Sequence, residues 1–335
     1  MKRFLTIFLS LIMMLGLTVA FNAGCKEPYI LQPDGTYFFN DVDVSATKVI
    51  IPASYKGKAV TGIASGAFKN NENIKQVIIP LSVKTISESA FENTPKLTSI
   101  NLDKIEKIGK NAFKNSLQLT IEYELELDSI KQLGEGCFDD CYGIVSVSIG
   151  DKIDYIPKNA FRDCVRLVVV DLSSSIKTIG DSAFEECRVL TQFNFADIQN
   201  IGKSAFKRCA VLQTLNLPKV EVIKQGAFEG CSSVAWVEVG AYAKQIYLSA
   251  FANLTLNYFN LGNSSATWYY YKETNSSLKG ELLAEWVNRQ KLNDGEECAQ
   301  FMTQGSYPSC FICTSEWANE QQINAGDIFN KGYFD

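Results

Sequence analysis

The chain has 335 residues, of which 46% are hydrophobic and 21% are charged, so it can bury a substantial core. Its net charge of −5 disfavours a nucleic-acid partner, because phosphate binding needs clustered Lys and Arg, and no such cluster occurs beyond the N-terminus. Histidine is absent, which excludes Ser-His-Asp and Cys-His catalysis and histidine metal sites. We therefore expect a protein that is not an enzyme and that needs no cofactor and no metal.

The N-terminus has the pattern of a signal peptide. Two cations precede an apolar run, Phe4–Ala20. The stretch Ala23-Gly24-Cys25 resembles a bacterial lipobox, in which the Cys becomes lipid-modified and starts the mature protein, although Asn22 replaces the aliphatic residue preferred there. Cleavage after Ala20 and an uncleaved anchor are the alternatives. We predict an exported protein, anchored in the membrane through a lipid on Cys25 or otherwise secreted.

A phenylalanine recurs nine times along the middle of the chain, at intervals of 22 to 25 residues. The nine are Phe68, Phe91, Phe113, Phe138, Phe161, Phe184, Phe206, Phe228 and Phe251. An aliphatic residue stands five positions before each Phe, and in most units another stands six positions after it. A pair of apolar residues two apart then follows, as in Val147 and Ile149. Period two indicates a short strand with one inward face.

Nine units at one period predict a solenoid. A single unit cannot bury its apolar positions, whereas stacked units place each Phe on the next Phe and each unit against its neighbours. Helical-hairpin repeats need more residues per unit, and Ile and Val are dense in the strand-like runs.

The repeat pattern I-x-x-I-x-x-x-A-F-x-x-C-x-x-L-x-x-I-x-L resembles the BspA-like leucine-rich repeats of bacterial surface proteins, over residues 28–262. The resemblance implies an α/β repeat fold, a leucine-rich-repeat solenoid of about nine coils of 22–25 residues. It also implies short parallel strands on the concave face and small N- and C-terminal caps. Members of this family are associated with adhesion to matrix proteins and with coaggregation, so the resemblance implies a binding role.

Four segments follow from these patterns. They are a signal peptide at 1–24, an N-terminal cap segment at 25–50, the solenoid at 51–262 and a C-terminal cap or accessory segment at 263–335. The third unit is longer than the others before Phe138, and we interpret the extra residues as a bulge or loop insertion.

Five cysteines occupy one position of the repeat, three residues after the Phe. They are Cys141, Cys164, Cys187, Cys209 and Cys231, and the earlier units carry Asn71, Thr94 and Ser116 there. A position that accepts all four residue types is an inward slot, so we predict buried free thiols. Disulfides within the column are the alternative, and a metal-binding or catalytic column is disfavoured. The tail cysteines Cys298, Cys310 and Cys313 favour local disulfide pairing, because a zinc site needs a fourth ligand.

One residue of each strand, between the two inward positions, must face outward. We select Asp171, Asn194, Asn216, Trp236 and Glu238 from this row and its neighbour as candidate ligand contacts. Trp236 is the only large aromatic residue in the two rows, and exposed Trp is enriched at binding hot spots. The alternative is that these are ordinary solvated strand residues.

We expect an exported cell-surface protein that acts as a macromolecule-binding or adhesion module through its curved sheet face. The expected partners are surface or matrix proteins of a host or of neighbouring cells, and glycans in second place. The alternative is an envelope scaffold or carbohydrate-binding protein without an adhesive role. An enzyme with its site in residues 263–335 is disfavoured, because no nucleophile motif is present there.

Overall fold

A computed structural model describes residues 27–40, 43–120, 124–251 and 254, together with the backbone of five strands further along the chain. These residues form a parallel β-solenoid of about nine turns. Each turn contains two short strands and one tight turn segment, and each of these stacks on its equivalent in the next turn. The prediction of a solenoid with short parallel strands is confirmed.

The strands are short, as expected for a coil of 22–25 residues that changes direction several times. The first half contains β1 (Tyr29–Leu31), β2 (Tyr37–Phe39), β3 (Lys48–Ile50), β4 (Ser54–Tyr55), β5 (Lys58–Ile63), β6 (Gln76–Ile78), β7 (Thr85–Ile86), β8 (Ser99–Ile100), β9 (Lys107–Ile108), β10 (Leu125–Leu127), β11 (Gln132–Leu133), β12 (Ser146–Ile149) and β13 (Tyr155–Ile156). The second half contains β14 (Val169–Leu172), β15 (Thr178–Ile179), β16 (Gln192–Phe193), β17 (Asn200–Ile201), β18 (Thr214–Leu217), β19 (Val222–Ile223), β20 (Trp236–Val239), β21 (Gln245–Tyr247), the 3₁₀ helix η1 (Leu248–Phe251), β22 (Tyr258–Leu261), β23 (Thr267–Tyr270), β24 (Glu281–Leu282), β25 (Ala299–Met302) and β26 (Pro308–Thr314).

Ladder A consists of the strands that come directly before each Phe. It runs β2, β5, β7, β9, β11 and then, after an interruption, β13, β15, β17, β19, β21 and β23. The β1–β2 hairpin precedes the ladder, and β4 pairs antiparallel with β5. The interruption falls at Pro157. At the equivalent position Gly109, Gly180 and Gly202 each donate an amide to the carbonyl of the preceding turn, at 2.8 Å. Proline has no amide hydrogen, so this bond is lost.

Ladder B consists of the strands that follow each tight turn. It has three parts, β3–β6–β8, β10–β12–β14–β16 and β18–β20–β22 with β26 and β25. The first two parts are separated between β8 and β10, in the long third unit. The second interruption coincides with Phe193 and Phe195, which replace the smaller aliphatic pair of the other turns. The alternation described for Val147 and Ile149 predicts that Phe193, at the equivalent position, points inward, but it is only half-buried and lies edge-on to Phe184, at 5.3 Å between ring centroids.

The tight turns form a third ladder, which has no interruption. From Phe68 to Phe228, the amide of every repeat Phe donates to the carbonyl of the residue before the next Phe, at 2.7–2.9 Å. The turn ladder therefore holds neighbouring turns together at all three places where ladder A or ladder B is broken. The repeat pattern predicted one strand per unit and gave no sign of this third set of backbone bonds.

Two residues in each tight turn have left-handed backbone conformation, two positions before and two positions after the Phe. In the turn of Phe91 they are Ser89 (φ 54°) and Asn93 (φ 57°), and in the turn of Phe228 they are Gly226 and Gly230. A left-handed residue interrupts a right-handed helix. Consistent with this, η1 is the only helix among the described residues, and the α/β label of the sequence prediction is not confirmed.

The repeat phenylalanines form one column through the core. Successive rings from Phe68 to Phe251 lie nearly parallel, with centroids 4.6–5.7 Å apart, and Phe39 extends the column at its N-terminal end. All of them are buried. Burial of an aromatic ring in every turn makes each turn depend on its neighbours, as the repeat pattern predicted.

Candidate ligand-binding face

The outward side of ladder B presents a polar surface, which we call the strand face. Its register is fixed by parallel pairing: Glu126 lies beside Ser148 and Ser148 beside Asp171, and further along Asn216 lies beside Glu238. The inward residues of the same strands are buried aliphatics, so the alternation of the sequence fixes which side chains reach solvent.

Four of the five predicted contact residues are exposed strand residues, and the fifth lies at a strand end. Asp171 is in β14, Asn216 in β18, and Trp236 and Glu238 are in β20. Asn194 directly follows β16, and its side-chain oxygen accepts a hydrogen bond from the amide of Ala196 at 3.0 Å. Because ladder B is interrupted at this point, the structure places Asp171 in one sheet and the last three residues in the next.

From the third unit to β20, the strand face carries acidic residues and no cation, while Lys48 lies on the same side further toward the N-terminus, in β3. Its outward positions from the third unit to β20 are Glu124, Glu126, Ser146, Ser148, Val169, Asp171, Gln192, Asn194, Thr214, Asn216, Trp236 and Glu238. In these rows, over the part of the chain that the structure describes, the four acids form no ion pair. Glu124 accepts a hydrogen bond from the hydroxyl of Ser146 at 3.0 Å. Glu124 and Glu126 were missed by the sequence analysis, because the third unit is out of register; the alternation of Leu125 and Leu127 was the signal that would have found them.

The other sides of the solenoid distribute charge differently. There, cations and acids of neighbouring turns pair, as in Lys69 with Glu92 at 2.9 Å and Lys219 with Asp197 at 2.6 Å. Exposed pairs of this kind add little to stability, but they neutralise the surface locally. From the third unit to β20, the strand face thus differs from these sides in that its acids have no cations among the neighbouring outward residues.

The largest exposed side chain on the strand face is Trp236, with 46% of its surface accessible. In the strand register, Trp236 lies opposite Thr214 of β18 and Tyr258 of β22. It precedes Glu238 by two residues, so the two side chains are on the same side of β20. An indole ring and a carboxylate at this spacing lie roughly 7 Å apart. The arrangement provides an aromatic surface next to a negative charge.

The cysteine column is structural. Its five thiols are free and fully buried, which confirms the prediction of buried free thiols. Each thiol donates to the carbonyl of the Phe one turn earlier, as in Cys187 to Phe161 at 3.2 Å and Cys231 to Phe206 at 3.0 Å. Burial raises the pKa of these thiols, that of Cys231 to about 12, so they are not nucleophiles at neutral pH.

Three aspartates on the tight turns also lie close together. One carboxylate oxygen from each of Asp139, Asp140 and Asp163 is within 4.8 Å of the others. Asp139 is buried and accepts bonds from Arg162 at 2.8 and 3.1 Å and from Lys114 at 2.9 Å. These two cations already occupy the oxygens of the one buried carboxylate, so the cluster is an ion-pair network around Asp139.

The predictions for the two chain ends lie largely outside the described residues. The signal peptide at 1–24 and the lipid site Cys25 lie there, as does Cys298. Cys310 and Cys313 are in β26. The helices that the structure describes include none with the length and apolar character needed to cross a membrane.

Comparison with known proteins identifies the repeat. The model of the BspA-type leucine-rich repeat region matches in six copies at residues 35–168, 103–211 and 155–279, together well over half of the chain. No curated protein matches. A leucine-rich repeat protein of T. pallidum is 24% identical, with 48% of this chain and 86% of that one covered and a TM-score of 0.40. A leucine-rich cell surface protein of Faecalibacterium prausnitzii is 18% identical (77% and 96% covered, TM-score 0.33), and a leucine-rich repeat protein of Bacteroides ovatus is 16% identical (75% and 100% covered, TM-score 0.33). On the family match, the chain belongs to the BspA-type leucine-rich repeat family.

Proposed function

We propose that this protein is an exported cell-surface protein that binds other proteins through the strand face. Its partners are surface or matrix proteins of a host or of neighbouring cells, and the outcome of binding is adhesion. A lipid on Cys25 anchors it to the membrane. The family membership supports a binding role, and the leader-like N-terminus supports export.

The observation that carries the proposal is the rigid presentation of the strand face. Backbone bonds of the turn ladder and the stacked Phe column fix each turn relative to the next. Side chains on neighbouring strands are therefore held about 4.8 Å apart, in a row of mostly short polar residues. A preorganised row loses little conformational entropy on binding, which favours contact with a partner at many points. Binding of this kind requires no catalytic group.

The test measures binding of the full chain to purified matrix and cell-surface proteins by surface plasmon resonance, in parallel with a glycan array. The blocking variant is Thr214→Arg with Asn216→Arg, two exposed positions of β18. The matched control is Gln132→Arg with Gln245→Arg, two exposed positions of ladder A with the same change in charge. We expect a protein ligand whose binding the first variant abolishes and the second leaves intact.

Equal binding by both variants would move the site away from the strand face. Binding to glycans alone, blocked by the same variant, would support instead a carbohydrate-binding envelope protein, for which the exposed indole of Trp236 beside carboxylate and amide groups is the favouring observation.

A further inference from the structure

We infer that the strand face binds a cationic, extended protein segment whose Lys or Arg side chains meet Glu126, Asp171 and the pair Trp236–Glu238. This inference rests on the proposed function and names the chemistry of the partner. It depends on three observations: the spacing of the acids along the solenoid, their lack of cationic partners within the described residues, and the indole of Trp236 beside Glu238.

The acids of the strand face form a row along the solenoid. Glu126 and Asp171 are two turns apart, with Ser148 between them in register, and Glu238 is three turns beyond Asp171. At about 4.8 Å per turn, these separations are roughly 10 and 14 Å. An extended chain advances about 3.3 Å per residue, so it matches the row with cations three and then four residues apart.

None of these carboxylates has a cationic partner within the described part of the chain. On the other sides of the solenoid, several acids are neutralised by a cation of a neighbouring turn, as Glu106 is by Lys131 at 2.7 Å. Unpaired charge of one sign on one face steers an oppositely charged partner and sets its orientation. The same charge disfavours anionic ligands such as sulfated glycans or nucleic acid.

Trp236 supplies the second kind of contact. Its indole is 46% exposed and stands on the same side of β20 as Glu238. A guanidinium or ammonium group that lies over an indole ring is attracted by the ring quadrupole, and a carboxylate beside the ring pairs with the same cation. Trp236 and Glu238 together therefore form the position in the row that binds a cation most strongly.

The test uses a fluorescein-labelled ten-residue peptide with Arg at positions 1, 4 and 8 and Ser, Thr or Gly elsewhere. Its binding to the full chain is followed by fluorescence polarisation at low and at physiological salt, and a peptide with Glu in place of Arg serves as the negative probe. The face variant is Glu126→Gln, Asp171→Asn and Glu238→Gln combined. The matched control is Glu72→Gln, Glu88→Gln and Asp154→Asn combined, which removes three exposed and unpaired acids from other sides of the solenoid.

We expect the face variant and Trp236→Leu each to weaken peptide binding about tenfold, the control variant to stay within about twofold, and added salt to weaken binding of the unmodified chain. If the peptide does not bind at low salt, the inference fails. It fails also if the two triple variants weaken binding equally, because the attraction then reflects net charge alone.

The same variants separate this inference from the proposed function. If a protein ligand is lost on Thr214→Arg with Asn216→Arg but is bound normally by the face variant, the proposed function is supported and the inference of a cationic partner is contradicted. If no protein ligand is found but the strand face still binds the peptide specifically, the proposed function is contradicted and the cation-binding surface is supported.

Discussion

The thiol of Cys187 donates a hydrogen bond to the backbone carbonyl of Phe161, one turn earlier in the solenoid, at 3.2 Å. Ser116 makes the equivalent bond to Phe91 at 2.9 Å. A hydroxyl and a thiol thus perform the same task at the same position of different turns. The charged neighbours of Cys187 in the sequence lie on the turn surface, where Glu186 pairs with Arg188 and Arg208. The cysteine therefore links turns and has no reactive role.

Cys187→Ser is expected to keep this bond, since Ser116 shows that a hydroxyl fits the position. It is expected to lower the free energy of unfolding by about 1 kcal/mol, because a hydroxyl is more costly to bury than a thiol. Urea denaturation measures the change. Binding at the strand face is expected to be unaffected, since Cys187 is fully buried, and a folded variant that loses binding would contradict the structural role.

The described thiols are expected to resist alkylation in the native state. Burial raises the pKa of Cys187, Cys209 and Cys231, so the thiolate that reacts is scarce even at pH 8. Iodoacetamide labelling with and without urea, read by peptide mass spectrometry, should modify these cysteines only after unfolding. Rapid native labelling of Cys187 would revive its interpretation as a reactive thiol.

Structural features that recur in many units could be predicted from the sequence, whereas features that depend on a single residue could not. The Phe column, the buried cysteines and the inward strand residues all follow from one period, because a single chain supplies nine examples of the Phe and five of the cysteine. The left-handed residues could not be identified this way, because Ser, Asn, Asp, Gly, Glu and Arg all occur at those positions. The lost bond at Pro157 depends on one residue, and the half-burial of Phe193 depends on ring size. The row of unpaired acids on the strand face could be recognised only after the pairing of β10 with β12 had placed Glu126 beside Ser148.

Two aspartates on the tight turns are expected to limit stability at neutral pH. Asn93 donates to Asn70 at 2.8 Å and Asn115 to Asn93 at 2.7 Å, so side-chain amides link three turns. The next two turns carry Asp140 and Asp163 at this position. Burial, and then the charge of a neighbouring aspartate, raises the pKa of both carboxyl groups.

Asp140→Asn and Asp163→Asn should therefore each raise the free energy of unfolding at pH 7, by about 0.5 kcal/mol. A raised folded-state pKa favours folding below the unfolded pKa, and this contribution is lost as pH rises through the folded pKa. The advantage of the Asn variants should accordingly shrink as pH falls toward 3. Melting temperatures of variant and parent, compared at each pH, test this; an advantage that is constant with pH would assign it to backbone preference instead.

Lipid attachment at Cys25 is tested by intact mass. We expect the mature protein, isolated from membranes of a bacterial host, to begin at Cys25 and to carry the added mass of a diacyl or triacyl modification. Cys25→Ser should release it from the membrane fraction. A mature protein that begins at Phe21 would show cleavage after Ala20 and remove the anchor from the proposal.

The close approach of neighbouring turns makes Gly180→Ala strongly destabilising. A Cβ at Gly180 would lie 2.7 Å from the carbonyl oxygen of Ile156, 2.7 Å from the amide nitrogen of Lys158 and 2.8 Å from the carbonyl carbon of Pro157, all backbone atoms of the preceding turn. Backbone cannot rotate away as a side chain can, so the two turns must separate and the amide bond from Gly180 to Ile156 must lengthen. We expect a loss of about 2–3 kcal/mol in the free energy of unfolding, measured by urea denaturation.

Gly57→Ala is the matched control for this last prediction. Gly57 has φ 74° and no atom within 4 Å of its ideal Cβ position, so the same substitution there adds backbone strain without a clash. The expected cost is about 1 kcal/mol. Gly180 has no positive φ, so if its variant loses no more stability than the Gly57 variant, the contact between turns is looser than the distances indicate. A markedly larger loss at Gly180 assigns the difference to the contact with Ile156, Pro157 and Lys158.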